Sequence, residues 1–544
     1  MRSLRSRRPE TTDGPPLGLL LLSGVIAVGM LFPLTYLVFT ATTVDTARLW
    51  EMLVRPQTAT VVMNSLLLMA GVTVSSALIG VPLAWLTVQT DIPFRRFWSV
   101  VAALPLVVPS YIGAFTFVSA FGPRGEFQSI LEPLGIQTLP EIYGLPGATL
   151  VITLYTYPYV YLTTRAALLS FDTTLLDAAR TLNHDTWSAF RRVTLPQVRP
   201  AVVAGSLLAA LYAVSDFGTP AIMRLPVFTQ QIYVEYRSFG VDYASFLSLQ
   251  LLAIVVVVLV LEWYVRPNRT VQGDGSERSS DPVVELGRWR WPATLIPASV
   301  TGIALLVPLW ILGLWLVTAD PDARPSLAFE LEYALNSVLV AGGAALVAVL
   351  VAVPVAYVAA RHESPLSTIF ERATYVGFAV PGIVLGLALV SFATSYDALL
   401  DQYSLTILPE LHQTIPLLVF AYVVRFMPQA VGSVRTTTLQ VDTKLVEAAQ
   451  TLGETPLRTF RKVTLPLIAP GVTAGAALVF LTTMKELPAT LLLRPTGFET
   501  LVTIIWKAQG EAFFQYAVIP ALLLLGVSGL SLLVLLSQGG REGL

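Results

Sequence analysis

Residues 175–205 read LLDAARTLNHDTWSAFRRVTLPQVRPAVVAG, and residues 445–475 read LVEAAQTLGETPLRTFRKVTLPLIAPGVTAG. The two stretches are versions of one sentence. Asp177 matches Glu447, Pro196 matches Pro466, Pro200 matches Pro470 and Gly205 matches Gly475, all 270 residues apart. The match extends outward. Arg165 and Asp172 pair with Arg435 and Asp442 at the same offset, while Asn64-Ser65, Pro82 and Pro109 pair with Asn336-Ser337, Pro354 and Pro381 at an offset of 272. A period this long, covering most of each half, identifies two copies of one structural unit fused in a single chain.

The composition says what solvent the copies face. Of the 544 residues, 54% are hydrophobic and only 13% are charged, and the mean hydropathy is +0.69. A water-soluble domain carries about twice that share of charge, so the chain is apolar enough to need a bilayer as its solvent. A net charge of −1, with no basic stripe, excludes nucleic acid as a partner. The absence of cysteine excludes disulfides and thiolate chemistry. Apolar runs of spanning length occur at 17–40, 61–88, 98–121, 145–168, 199–222 and 243–265, and again at 293–317, 333–360, 371–395, 412–432, 469–492 and 512–537. The first follows the basic start Met1–Arg8 and is too long for a cleaved leader. With both termini inside, 24 of the 34 Lys and Arg residues fall on the inner side and eight on the outer. That bias obeys the positive-inside rule and supports twelve crossings. The expected fold is therefore an all-α integral membrane protein of twelve transmembrane helices, two parallel six-helix repeats at 1–265 and 293–544. A polar cytoplasmic linker, 266–292, joins them.

Each half carries one large inner loop after its fourth span, about 165–199 and 434–469. In the second, Leu445, Ala448, Ala449 and Leu452 are spaced for one helical face, and Gly453 is a helix stop. A second short helix follows, with Leu457, Phe460 and Val463 apolar and Arg458, Arg461 and Lys462 basic; Leu465-Pro466 is read as its end, turning the chain back to the membrane. The result is a firm elbow on the cytoplasmic surface, able to carry force between a soluble partner and the spans. A fused dimer without a central path would share the repeat but leave two matched elbows unexplained.

These loops resemble the EAA coupling loop of permease subunits of binding-protein-dependent ATP-binding-cassette importers. The second fits the pattern with Glu447, Ala448, Ala449, Gly453, Val463, Leu465 and Pro466. The first fits with Asp177, Ala178, Ala179, Val193, Leu195 and Pro196, and departs from it with Asp177 for Glu and Asn183 for Gly. Asn tolerates the left-handed backbone better than most residues. The resemblance implies two cytoplasmic ATPase subunits, one docked at each elbow, an extracytoplasmic substrate-binding protein, and alternating access as the mechanism. ATP and Mg would belong to the partner subunits, and this chain would be no enzyme and hold no cofactor. In keeping with that, it contains no G-x-x-x-x-G-K-[ST] loop to cradle nucleotide phosphates. An ion-coupled carrier of six plus six parallel spans stands as the alternative, with Asp216 and Glu486 as its coupling carboxylates.

Charges inside spans default to functional roles. Asp216 in SDFGTP and Lys485-Glu486 in MKELPATLLLRP occupy matching fifth spans, with the two acids at the 270 offset; Arg425 lies in the tenth span. On this reading the two carboxylates line a path or gate from both sides of the pseudo-twofold axis. Alternatively they pin helices, Glu486 with Lys485 and Asp216 with Arg425. Carboxylate oxygens suit a hard cation or an amine. The same two stretches resemble the ferric-iron branch of the importer permeases, with thiamine and phosphonate importers as near neighbours. The histidines His184, His362 and His412 show no metal-ligand spacing, and no metal site is expected. Tyr155, Tyr157, Tyr159 and Tyr161 read as an aromatic belt and helix contacts at a membrane edge.

Overall fold

The computed structural model describes residues 16–42, 45–122, 125–135, 141–170, 195–265, 284–318, 327–362, 364–404 and 407–539. Within these the chain is helical, and the one extended pairing is a single bridge between Thr90 and Val284. Nine of the described helices are long and apolar enough to cross a membrane. Their polar residues do not contradict that. Ser and Thr side chains along them donate to carbonyls one turn back, as Thr87 does to Leu83 (2.8 Å) and Thr438 to Val434 (2.7 Å), which satisfies those hydroxyls within the helix.

Two compact units emerge, and each draws on both halves of the chain. One comprises the described residues up to Thr40, Glu330–Thr503 and those from Leu530 onward; the other comprises Ala41–Phe329 and Ile504–Gly529. In the first unit, the helix Leu17–Thr42 lies against Gly382–Gln402: the Phe32 and Phe392 rings meet edge to face at 4.7 Å, and the Tyr36 hydroxyl donates to Ser395 Oγ at 2.9 Å. In the second, Arg290–Thr318 packs against Ser110–Phe121, with Trp315 stacked between Phe115 (5.4 Å) and Phe514 (5.9 Å).

The repeat seen in the sequence is a repeat of contacts. Asn64 donates to the Pro226 carbonyl at 3.0 Å, and Asn336 to the Glu499 carbonyl at 2.9 Å. Next in sequence, Ser65 Oγ accepts from the Phe228 N–H (3.1 Å) and Ser337 Oγ from the Leu501 N–H (2.8 Å). Each Asn-Ser pair therefore caps the short helix that follows its own fifth span, Phe228–Arg237 or Leu501–Gly510. Gly205 and Gly475 do matching work. A Cβ would sit 2.7 Å from Val160 Cα at the first and 2.9 Å from Ala430 Cα at the second, so the helices cross too closely for any side chain.

Prolines break the spans where the hydropathy pattern alone runs on. Pro82 and Pro354 lie within continuous helices, but Pro109 and Pro381 sit at the N-caps of Ser110–Phe121 and Gly382–Gln402 and interrupt the apolar runs 98–121 and 371–395. The residue before proline is pushed to extended backbone, as Val108 and Val380 show. The tyrosines of the helix Gly144–Leu169 also depart from expectation. Tyr155, Tyr157 and Tyr161 are at most 1% exposed, because this helix is central rather than peripheral. Tyr157 and Tyr161 share a core with Leu83, Ala84, Ala102 and Val198, and the Tyr161 hydroxyl donates to the Ser99 carbonyl at 3.0 Å. They are interior contacts, and no aromatic belt.

Candidate functional site

The second elbow is built as a braced corner. Asp442 caps Thr443–Thr451, its carboxylate accepting from the Lys444 N–H at 3.0 Å. This cap was there to be read, since Asp just before an apolar-periodic stretch marks a helix start. At the other end Gly453 adopts a left-handed φ of 87°, and the Glu454 N–H reaches back to the Ala449 carbonyl at 3.2 Å, the closure of a helix C-terminus that glycine permits at no steric cost. Lys462 and Glu454 then close the corner at 2.7 Å. Arg361 holds the Val441 carbonyl at 2.8 Å, and the Phe460 ring meets Tyr357 edge to face at 5.6 Å, so both limbs are tied to the helix Leu331–Arg361.

Leu465-Pro466 departs from the reading given above. Pro456–Thr459 runs through a π-helical turn, Phe460–Thr464, straight into Leu465–Met484. Pro466 occupies the first turn of that helix, where its missing N–H costs nothing. It starts the fifth span instead of ending the elbow. Of the residues that match the EAA pattern, Glu447 and Ala448 are exposed and Ala449 is half-buried; beside them Leu452 and Leu445 expose 85% and 50% of their surface. The braced helix therefore leaves Leu445 and Leu452 uncovered in this chain. In the first elbow, Leu195 and Pro196 likewise open the helix Leu195–Ser215. Asp177, Ala178, Ala179 and Asn183 lie outside the described residues.

The fifth spans are broken at their acids. Leu195–Ser215 ends and Gly218–Ile222 begins on either side of Asp216; Leu465–Met484 and Pro488–Leu493 flank Lys485-Glu486. At each break the acid's own carbonyl is held by a downstream hydroxyl, Thr229 for Asp216 (2.6 Å) and Thr490 for Glu486. Arg425 binds Glu486, Nε to Oε2 at 3.2 Å, and donates to the Val380 carbonyl at 2.8 Å. Gly382 leaves the room they need: a Cβ there would collide with Glu486 Oε1 and lie 2.9 Å from an Arg425 nitrogen. The pairing of Arg425 with Asp216 and of Glu486 with Lys485 is thus corrected to Arg425 with Glu486. The position equivalent to Arg425 in the first half is Tyr155, whose hydroxyl donates to the Ala304 carbonyl at 3.2 Å.

His412 donates its backbone N–H to Asp397 (2.9 Å); the His362 carbonyl accepts from Ser367 (2.7 Å), and partial burial beside Arg361 holds that imidazole below its usual range. His184 lies outside the described residues. Among the described residues no cluster of three His, Cys, Asp or Glu has metal-site geometry.

Apolar spans broken at matching places in both halves fit a membrane component of a transport system. The family model of binding-protein-dependent transport system inner membrane components matches residues 76–266 and again 348–539, and the chain belongs to that family. It is a multi-pass inner-membrane permease, and membership removes the stand-alone ion-coupled carrier. The Fe(3+)-transport system permease protein FbpB 2 of Haemophilus influenzae is 30% identical over 96% of this chain and 98% of its own length. The ferric transport system permease protein FbpB of Actinobacillus pleuropneumoniae is 23% identical over 80% of this chain and 64% of its own. A probable molybdenum ABC transporter permease of Haloferax volcanii is 31% identical over 46% of this chain and 90% of its own.

Proposed function

We propose that the chain is the fused permease of an ATP-driven ferric-iron importer. The observation that carries the substrate is the reach of the similarity. A relative named for Fe(3+) transport aligns with nearly the whole chain, whereas the molybdenum and sulfate relatives align with half of it or less. Thiamine and phosphonate remain the alternatives.

On this reading there are twelve crossings in two parallel sets of six, with cytoplasmic termini and a cytoplasmic linker at 266–292. The nine long apolar helices, the broken third span of the first half, Gly144–Leu169 and Val518–Gly539 supply them. Two ATPase subunits dock at the elbows, using Asp177, Ala178, Ala179 and Asn183 on one and Glu447, Ala448, Ala449 and Gly453 on the other. A binding protein delivers iron from outside. Closure of the ATPase pair pushes on the elbows; because the elbow runs through Phe460–Thr464 into the fifth span without a joint, the push arrives at the break that holds Lys485 and Glu486. Asp216, Lys485, Glu486 and Arg425 act there in translocation or gating. A discontinuous helix in a membrane protein is the usual place for a bound ion.

The test is uptake by vesicles containing the assembled system, offered ferric iron, thiamine, a phosphonate and molybdate with and without ATP. ATP-dependent accumulation of iron alone is expected. Uptake of one of the other solutes instead would overturn the substrate, and uptake of iron without the ATPase would overturn the coupling.

A further inference from the structure

The two fifth-span breaks are alike in backbone and unlike in chemistry. In the second half the acid is spent: Arg425 neutralises Glu486. The helix residue four before it, Thr482, gives its hydroxyl to Gln429 Oε1 at 3.2 Å. Carry each position back by the repeat offset and the neighbours change. Thr482 becomes Tyr212, Gln429 becomes Tyr159, Gly382 becomes Ser110 and Ile383 becomes Tyr111, while Arg425 becomes Tyr155. The cation is gone and phenols have arrived.

The structure places Tyr212 and Tyr111 at this break and Tyr159 against Tyr212. The Tyr212 hydroxyl donates to Ser110 Oγ at 3.1 Å, and its ring lies 6.2 Å from that of Tyr159. Tyr111 packs against the break itself, since a Cβ at Gly218 would sit 2.5 Å from Tyr111 Cβ. The hydroxyls of Ser110 and Thr219 adjoin the Asp216 carboxyl, and Tyr212 is close enough to feel its charge. Asp216 Oδ2 and Thr219 Oγ1 are buried and adjoin each other without reaching hydrogen-bond geometry, and the Gly218 and Thr219 N–H groups also face the carboxyl. Among the described residues of its own compact unit, no Lys or Arg lies within ion-pair distance of Asp216. Buried polar atoms left unpaired carry a desolvation cost of about 1–3 kcal/mol each and ask for an explanation.

We propose that Asp216, with the phenol oxygen of Tyr212 next to it across Ser110 and Tyr111 packed on the same break, is a transit site for a hard trivalent cation in the first repeat, with no counterpart in the second. This rests on the ferric-iron reading and deepens it. Carboxylate and phenolate are hard oxygen ligands, and a tyrosine phenolate is an established ligand of ferric iron. Each phenol that binds the ion releases its proton to water, so binding is weaker at lower pH. A ligand set on one repeat alone also makes physical sense for a path. A site that closed on the ion from all sides would hold it, whereas a half-shell lets it leave.

The test uses the full-length chain in lipid nanodiscs, titrated with ferric nitrilotriacetate and followed by visible absorbance. Iron bound by a phenolate gives a ligand-to-metal charge-transfer band. The wild type is expected to develop the band, Tyr212→Phe to lose most of it, and Asp216→Asn to weaken iron binding about 10–100-fold. Thr482→Val, at the position of Tyr212 in the second repeat, is expected to leave both band and affinity alone. Unchanged elution on gel filtration shows that each variant is folded; if Tyr212→Phe is not, Asp216→Asn decides. A wild type that shows no band, or variants that keep it in full, overturns the site. The vesicle assay separates the two ideas: iron uptake without a band leaves the importer standing and removes the site, and failure of iron uptake removes both.

Discussion

At the scale of single residues the Arg425–Glu486 pair sets the tightest constraint. Both side chains are withdrawn from solvent, 16% and 7% exposed. Breaking such a pair from one side leaves a buried charge without its partner, at about 3–5 kcal/mol, while removing both ends costs far less. Arg425→Met is therefore expected to lower the thermal midpoint of the detergent-solubilised protein by several degrees, and Arg425→Met with Glu486→Gln to recover most of the loss. Additive losses in the two single variants and the double would show that the pair is not coupled. The sequence announced both charges, because a charge in an apolar run stands out in one dimension. It did not announce their partnership. Arg425 and Glu486 are 61 positions apart, and the glycine that lets them meet, Gly382, lies on a third helix. The adjacent Lys485 and the distant Asp216 were equally good partners on paper. The same blindness hid Tyr212, which looks like any helix tyrosine until its hydroxyl is found on Ser110 and its ring against Tyr159.

At the scale of the element, the elbow shows why some structure is legible. Its first helix is set by local rules: an Asp cap, an apolar period and a stopping glycine. All three are visible in Asp442–Gly453 and all act within a dozen residues. Leu465-Pro466 was misread because proline ends one helix and begins another with the same signature; which it does depends on whether the preceding turn can widen, as Phe460–Thr464 does. Two variants test the elbow as a docking element. Leu452 is 85% exposed, so replacing it should not disturb the chain's own fold, but an apolar anchor at an interface carries about 2 kcal/mol or more. Leu452→Asp is expected to cut recovery of the ATPase subunit on co-purification by roughly 30-fold, with an unchanged gel-filtration profile. If recovery is full, the exposed leucine is not part of the docked surface. Gly453 tests the corner rather than the contact. Its φ of 87° is strained for β-branched residues by about 1–2 kcal/mol, while asparagine, which the first repeat carries at this place as Asn183, visits that region readily. Gly453→Val should weaken ATPase coupling and Gly453→Asn should leave it close to wild type. Equal loss in both would show that flexibility, not handedness, is what the position supplies.

At the scale of the molecule, the repeat in the sequence and the compact units in space are different partitions of the chain. Apolar runs carry no address, so nothing in residues 17–40 says which half they will cover. In the structure the first helix joins the unit built mainly from the second half, through Phe32, Tyr36 and the Phe370 ring that fills the space over Gly24. Conversely, Trp506 and Phe514 from the second half lie in the other unit, Trp506 5.0 Å from Phe217 beside the Asp216 break and Phe514 5.9 Å from Trp315. Each half therefore lacks part of the unit it contributes most to. Aromatic contacts of this kind add about 0.5–1.5 kcal/mol each to the area they bury, and domains stand above unfolding by only about 5–15 kcal/mol, so a half alone is short by a decisive amount. Opening the chain within the polar stretch 266–283 should then be harmless provided both pieces are present, since only one covalent link is lost and the exchanged helices restore the rest. Residues 1–275 and 276–544, expressed together with different affinity tags, are expected to co-purify through either tag and to run as one species on gel filtration. Expressed singly, each should be degraded or aggregate. Two halves that elute apart, each resistant to protease on its own, would show that every repeat is self-sufficient and that the exchanged helices contribute little to holding it together.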